Sequence, residues 1–107
     1  MPYTATATLP EPSPEAIQAL PGRVLLEFGT DWCPHCLGAQ PALRTALQDQ
    51  TAVRHIKLED GPGRRLGRTF RVKLWPTLVL LQEGQEIARL VRPTEAAAVA
   101  QLLTASA

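Results

Sequence analysis

Cysteine is close to absent from this chain. Only two occur in 107 residues, Cys33 and Cys36, both within the stretch DWCPHC. With no second pair there is no four-cysteine metal site, nor a framework of several disulfides to stand in for a core. A charge of one sign is lacking too. Eleven Lys and Arg face ten Asp and Glu, a net +1, so the balance calls for neither nucleic acid nor a membrane surface. No apolar run nears the roughly 18 to 20 residues of a membrane span. The opening stretch MPYTATATLPEPSPE has neither a basic region nor an apolar run, which argues against a secretory signal and for a cytoplasmic address. In that reducing compartment a cysteine pair serves catalysis or metal binding more often than structure. Internal repeats are also missing. What is present is ordinary for a globular protein: 45% hydrophobic and 20% charged residues, on a length that allows one core and one domain over residues 1–107.

Prolines at 10, 12 and 14 mark residues 1–13 as an extended N-terminal segment that could move independently. Ser13 then caps, and Pro14 starts, a short helix PEAIQAL that stops at Pro21-Gly22. RVLLEF, from Arg23 to Phe28, reads as a buried strand in which Glu27 is out of place. From Cys36 to about Gln50, Leu37, Pro41, Leu43 and Leu47 recur at helical spacing, with Pro41 kinking the helix. The cysteine pair therefore sits where a strand gives way to a helix. AVRHIKL, from Ala52 to Leu58, reads as a second strand with His55 outward or at the core edge and without a chemical role. GPGRRLGRTFRV is a turn or two of helix opened by Pro62, and TLVLLQEGQEIARLV is a hairpin turning at Glu83-Gly84. Thr94 caps an Ala- and Leu-rich helix that runs to about Leu103. The order β, α, β, α, β, β, α predicts an α/β fold: a mixed sheet of four to five strands with helices on both faces.

Three bland readings of Cys33 and Cys36 are weak. A disulfide closing so small a loop removes little unfolded-state entropy, so it is a poor staple. A structural zinc ion needs four ligands, and beyond the two thiols only His35 and His55 offer any, with His35 strained between them; no metal is expected, short of a cluster shared by two subunits. Haem attachment wants His directly after the second cysteine, where Leu37 stands. The redox reading has a mechanism. A thiolate is the nucleophile of thiol–disulfide exchange, so Cys33 must ionise near neutral pH. A helix N-terminus supplies free N–H groups and the positive end of the dipole. Cys36, one turn in, can then attack a mixed disulfide formed at Cys33. Pro34 fixes one φ angle, and His35 can add a donor or a positive charge; both should lower the Cys33 pKa and make the disulfide more oxidising.

WCPHC, set between RVLLEF and a Pro-kinked helix and followed forty residues later by WPT, resembles the thioredoxin family over roughly Val24 to Leu103. The resemblance implies the thioredoxin fold and a protein disulfide oxidoreductase without a cofactor. It implies a cis bond before Pro76 that brings Trp75, Pro76 and Thr77 against the cysteines, with Trp32 flanking them and the Trp75 backbone free to pair with a substrate segment. It also implies that Glu27 stands for the family's buried Asp, accepting the Cys36 proton, and that Lys57 tunes it. Protein disulfides would be the substrates, thioredoxin reductase or another dithiol the electron donor, and a monomer the working form. Four departures bear on this. Pro34-His35 replaces the usual Gly-Pro and is similar to periplasmic oxidases of the Dsb type, although only 38 residues separate Cys36 from Trp75, leaving no room for their helical insertion. Gly29 stands where a bulky Trp is usual. Trp75 is larger than usual, and is expected to fill part of the space that Gly29 leaves. Arg92 stands where a groove-lining Gly is typical, so it bears on recognition. The direction therefore stays open between a reductant in redox homeostasis and an oxidase or isomerase, with a redox-switched binding module as a third reading. Arg64, Arg65, Arg68, Arg71 and Lys73 read as a solvated face, or with Arg92 as a surface for acidic proteins; without aromatics between them other than Phe70 they do not suggest nucleic acid.

Overall fold

The computed structural model describes residues 3–106; Met1, Pro2 and Ala107 lie outside the described residues. Ser13 caps α1 (Pro14–Gln18) by accepting the Ala16 N–H at 3.0 Å, and Pro14 occupies the first turn, where its missing N–H costs nothing. Then follow β1 (Arg23–Gly29), α2 (Pro34–Leu47), β2 (Val53–Glu59), α3 (Arg65–Thr69), β3 (Thr77–Gln82), β4 (Gln85–Val91) and α4 (Ala96–Leu103). The sheet has four strands in the order β2-β1-β3-β4, with β1 and β2 parallel and the other pairs antiparallel. This is the thioredoxin fold with the smaller of the expected strand counts.

Strand alternation divides the core in two. Leu25 of β1, Val53 of β2, and Leu78 and Leu80 of β3 face Ala39, Leu43 and Leu47 of α2 and Val99, Leu102 and Leu103 of α4. Val24, Leu26, Phe28, Ile56, Leu58, Val79 and Leu81 point the other way, onto Ile17 of α1 and Leu66 of α3. By this parity Glu27, His55 and Lys57 belong to the first face, and the parallel register sets Glu27 opposite Lys57 and Leu25 opposite His55. A row of polar side chains thus runs beneath α2.

Two helix starts differ from the sequence reading. Pro62 does not open α3: Gly61 and Gly63, at φ 138° and 80°, hold a turn first, and the helix begins three residues after the proline at Arg65. Thr94 does not cap α4. The N-cap position falls on Glu95, whose carbonyl accepts from Ala98 at 3.2 Å, and its longer side chain makes no capping bond. The hairpin turn falls at Glu83 and Gly84 as expected, both at positive φ (50° and 80°), which matches the strand twist. Residues 3–13 run extended across the sheet edge. Thr8 donates its N–H to the Lys57 carbonyl at 2.9 Å, and Ala7 bridges Lys57 in parallel.

Candidate functional site

β1 delivers the chain to the cysteines and α2 begins between them. Cys33 is the N-cap of α2, and its sulfur accepts the Cys36 N–H at 3.3 Å, the bond a Ser or Asp would otherwise make there. Pro34 takes the first helical position. Both cysteines are free and buried. Burial pushes the Cys33 pKa up, but hydrogen bonds from the Cys36 thiol, the Cys36 N–H and the His35 N–H, with the Arg92 charge, outweigh it, and the pKa lies below the ordinary 9.0. The His35 ring is exposed, so its contribution is a backbone N–H where a ring charge was also open; the positive charge comes from Arg92 instead. Cys36 goes the opposite way. Burial, its bond to Cys33, and the charges of Cys33 and Glu27 push its pKa up to about 12, against a lowering bond from Thr30.

Glu27 is buried with 1% of its surface exposed, so it is no solvated surface acid. Each of its oxygens has a partner. Oε1 lies 2.9 Å from His55 Nε2, Oε2 accepts Gln40 Nε2 at 2.8 Å, and Lys57 Nζ stands 3.8 Å from Oε2. Gln40 ties this acid to the cysteine helix, donating also to the Cys36 carbonyl at 2.7 Å, while its own oxygen accepts Lys57 Nζ at 3.0 Å and the Tyr3 hydroxyl at 2.6 Å. The structure therefore gathers Glu27, Lys57 and Cys36 as the sequence suggested, and adds Gln40, Tyr3 and His55. His55 is the clear correction. It is neither outward nor at the edge but buried at 4% exposure, bonded to Glu27, because the two-residue period puts it on the Lys57 face. That period, and the four-residue helical step from Cys36 to Gln40, were the signals available for both.

The Trp75–Pro76 bond is cis. Pro76 is buried, its Cα 3.9 Å from where a Cβ on Gly29 would stand. Trp75 does not occupy the space at Gly29. That space belongs to Cys36 Sγ, 2.5 Å from a Cβ built there, whereas the Trp75 indole N–H donates to Asp60 Oδ2 at 2.8 Å and its ring meets Trp32 edge-on, centroids 5.9 Å apart. Thr77 is not presented to a ligand either. It is buried, and its hydroxyl donates to the Leu74 carbonyl at 2.6 Å, bracing the loop. The Trp75 carbonyl is not free as expected: Arg92, at φ 53° just past β4, turns back to donate its Nε there at 2.9 Å and its backbone N–H to the Pro76 carbonyl at 2.9 Å.

A family model described as Thioredoxin matches residues 11–105. Among solved structures, thioredoxin 2 from Pseudomonas aeruginosa PAO1 in its reduced form is 48% identical, the match covering 92% of each chain with a TM-score of 0.82. The chain is also 31% identical to thioredoxin H2-1 of Oryza sativa subsp. japonica, over 64% of this chain and 49% of that one. A thioredoxin of Chlamydia muridarum is 33% identical over 65% of this chain and 69% of its own length. The chain thus matches about half the length of the rice relative.

Proposed function

Because the chain belongs to the thioredoxin family, we propose that it is a thiol–disulfide oxidoreductase acting as a reductant of protein disulfides, with Cys33 attacking, Cys36 resolving, and Glu27 taking the Cys36 proton. The observation that carries the division of labour is Cys33 at the N-cap of α2, its sulfur accepting the Cys36 N–H at 3.3 Å, with the two thiols displaced in opposite directions, Cys33 lowered and Cys36 raised to about 12; the reductant direction is what membership of the thioredoxin family supports. The Cys33 thiolate attacks one sulfur of a substrate disulfide, forming the Cys33–substrate bond as the second substrate sulfur leaves as thiolate. Cys36 stays protonated, so it does not compete for the substrate. Its proton then passes to Glu27, the Cys36 thiolate attacks Cys33 Sγ, and the first substrate sulfur leaves with the pair of electrons. The protein ends oxidised and the substrate reduced by two electrons. Lys57 and Gln40 hold Glu27 in place.

The exposed apolar side chains Trp32 and Leu37 beside the cysteines, Leu74 beside the cis-proline loop, and Val91, paired with Thr77 across the β3–β4 ladder, support a protein as substrate. Thioredoxin reductase or another dithiol would restore the pair, and a cytoplasmic monomer is part of the same reading. Two measurements test it. Cys36→Ser should trap the mixed disulfide with a substrate such as insulin, whereas Cys33→Ser should form none. Equilibration in glutathione buffers should give a potential near about −270 mV; a value from about −200 to −120 mV would overturn the reductant direction in favour of an oxidase or isomerase. Negligible insulin turnover would instead leave a redox-switched binding module.

A further inference from the structure

His55 lies outside every role assigned above, yet it is the most completely enclosed partner of Glu27: its side chain has 0% exposure and that of Glu27 has 2%. Its second nitrogen is also occupied. The Thr4 N–H points at His55 Nδ1 over 2.8 Å, and the Thr4 hydroxyl donates to the His55 carbonyl at 2.7 Å, so the N-terminal segment grips the residue at two points. A backbone N–H can only donate, so Nδ1 must carry the lone pair. The hydrogen of the neutral ring is then on Nε2, facing Glu27 Oε1 at 2.9 Å. Tyr3 seals the ring, centroids 5.5 Å apart, and is itself pinned by Gln40 and by the Arg44 guanidinium 4.9 Å above its ring.

We propose that His55 is a positioning residue for the resolving step, locked by the Thr4 N–H as the Nε2–H tautomer so that it always donates to Glu27 Oε1 and holds that carboxylate in place to accept the Cys36 proton. The proposal rests on Glu27 being the acceptor. Two donors, His55 and Gln40, bind the two oxygens of one buried carboxylate, which fixes its position and leaves lone pairs for the incoming proton. The other charged or titratable groups around it are Lys57 on β2, Cys33 and Cys36 at the start of α2, and Tyr3 of the segment, with Asp31 and Glu59 lining the adjoining cavity of about 270 Å³ beneath residues 5–9. Of the partners of Glu27 only His55 meets Oε1 among the described residues; Lys57 and Gln40 meet Oε2.

The test is the pH profile of mixed-disulfide resolution in single turnover, read with ¹⁵N chemical shifts of the His55 ring in the full chain. The parent should show one tautomer, with its hydrogen on Nε2. His55→Leu, which removes the donor, should make resolution about tenfold slower on the acid side of the profile. His55→Gln restores an N–H donor and should stay within about threefold of the parent. Thr4→Pro deletes the locking N–H and the hydroxyl, and also fixes φ there; it should mix the tautomers and slow resolution on the same side of the profile, while Thr4→Val, which keeps the N–H, should do neither. Should His55→Leu fail to fold, the Thr4 pair carries the comparison. A tautomer mixture in the parent, or a His55→Leu profile lying on the parent's while Glu27→Gln moves it, would overturn the proposal. A Glu27→Gln profile identical to the parent's would sink the acceptor reading itself, whereas the tautomer would still report the lock. In the double variant, His55→Leu should cost nothing further once Glu27 is Gln.

Discussion

Cys33 and Cys36 are chemically identical residues that the fold drives apart. Cys33 has a nearby guanidinium and backbone donors to receive its charge, whereas burial and negative neighbours deny one to Cys36. Iodoacetamide should therefore modify Cys33 alone, with the midpoint of its pH–rate curve below the ordinary 9.0, and Cys36 should stay unreactive until about pH 12 or until the protein unfolds. Arg92→Ala should move the Cys33 midpoint upward, because a charge that favours the thiolate is gone; an unmoved midpoint would discount the guanidinium. At Gly29 the decisive contact is steric. A Cβ would stand 2.5 Å from Cys36 Sγ, in a buried strand that cannot give way, so Gly29→Ala should cost about 1–3 kcal/mol in urea unfolding and slow the resolving step. The sequence marked Gly29 as unusual but pointed to Trp75 as the filler, since nothing in a string of residues says which of two neighbours across a loop reaches the vacancy first.

Among the elements, those built from local pattern were legible. The run RVLLEF is β1, the Glu83-Gly84 turn joins β3 to β4, and the Ser13-Pro14 pair starts α1, because each depends on residues within a few positions of one another. Gly84 shows where locality ends. Its φ of 80° alone would tolerate Asn, but a Cβ there would run into the Gln18 carbonyl of α1, a contact between elements 66 positions apart. Gly84→Ala should consequently destabilise by at least about 1 kcal/mol, measured by urea unfolding, and more than the φ angle alone explains. The starts of α3 and α4 were misplaced because Pro62 and Thr94 are good initiators by type. Glycine geometry at 61 and 63, and the point where the chain leaves β4, decided otherwise.

At the scale of the whole molecule, one sheet with helices on both faces makes two half-cores share β1, β2 and β3. Leu80 of β3 is fully buried between β1 and the α2/α4 layer, so Leu80→Ala should cost about 2–5 kcal/mol in chemical denaturation and lower the stability of both halves together, as a single transition. The same sheet assembles the polar row under α2 from chain segments far apart: Tyr3 and Thr4, Glu27, Gln40, and His55 and Lys57. From the sequence alone came the family, the strand-to-helix placing of Cys33 and Cys36, and the oddness of an acid in a buried strand, since these rest on spacing and residue type within short windows. Only the tertiary structure decided that His55 is the partner of that acid, that Arg92 closes over the Trp75 carbonyl, and that the N-terminal segment takes part in the site. Each of those facts is a contact between residues at least 17 positions apart in the chain, and such contacts are set by strand register and layer packing, which no local pattern of residues encodes.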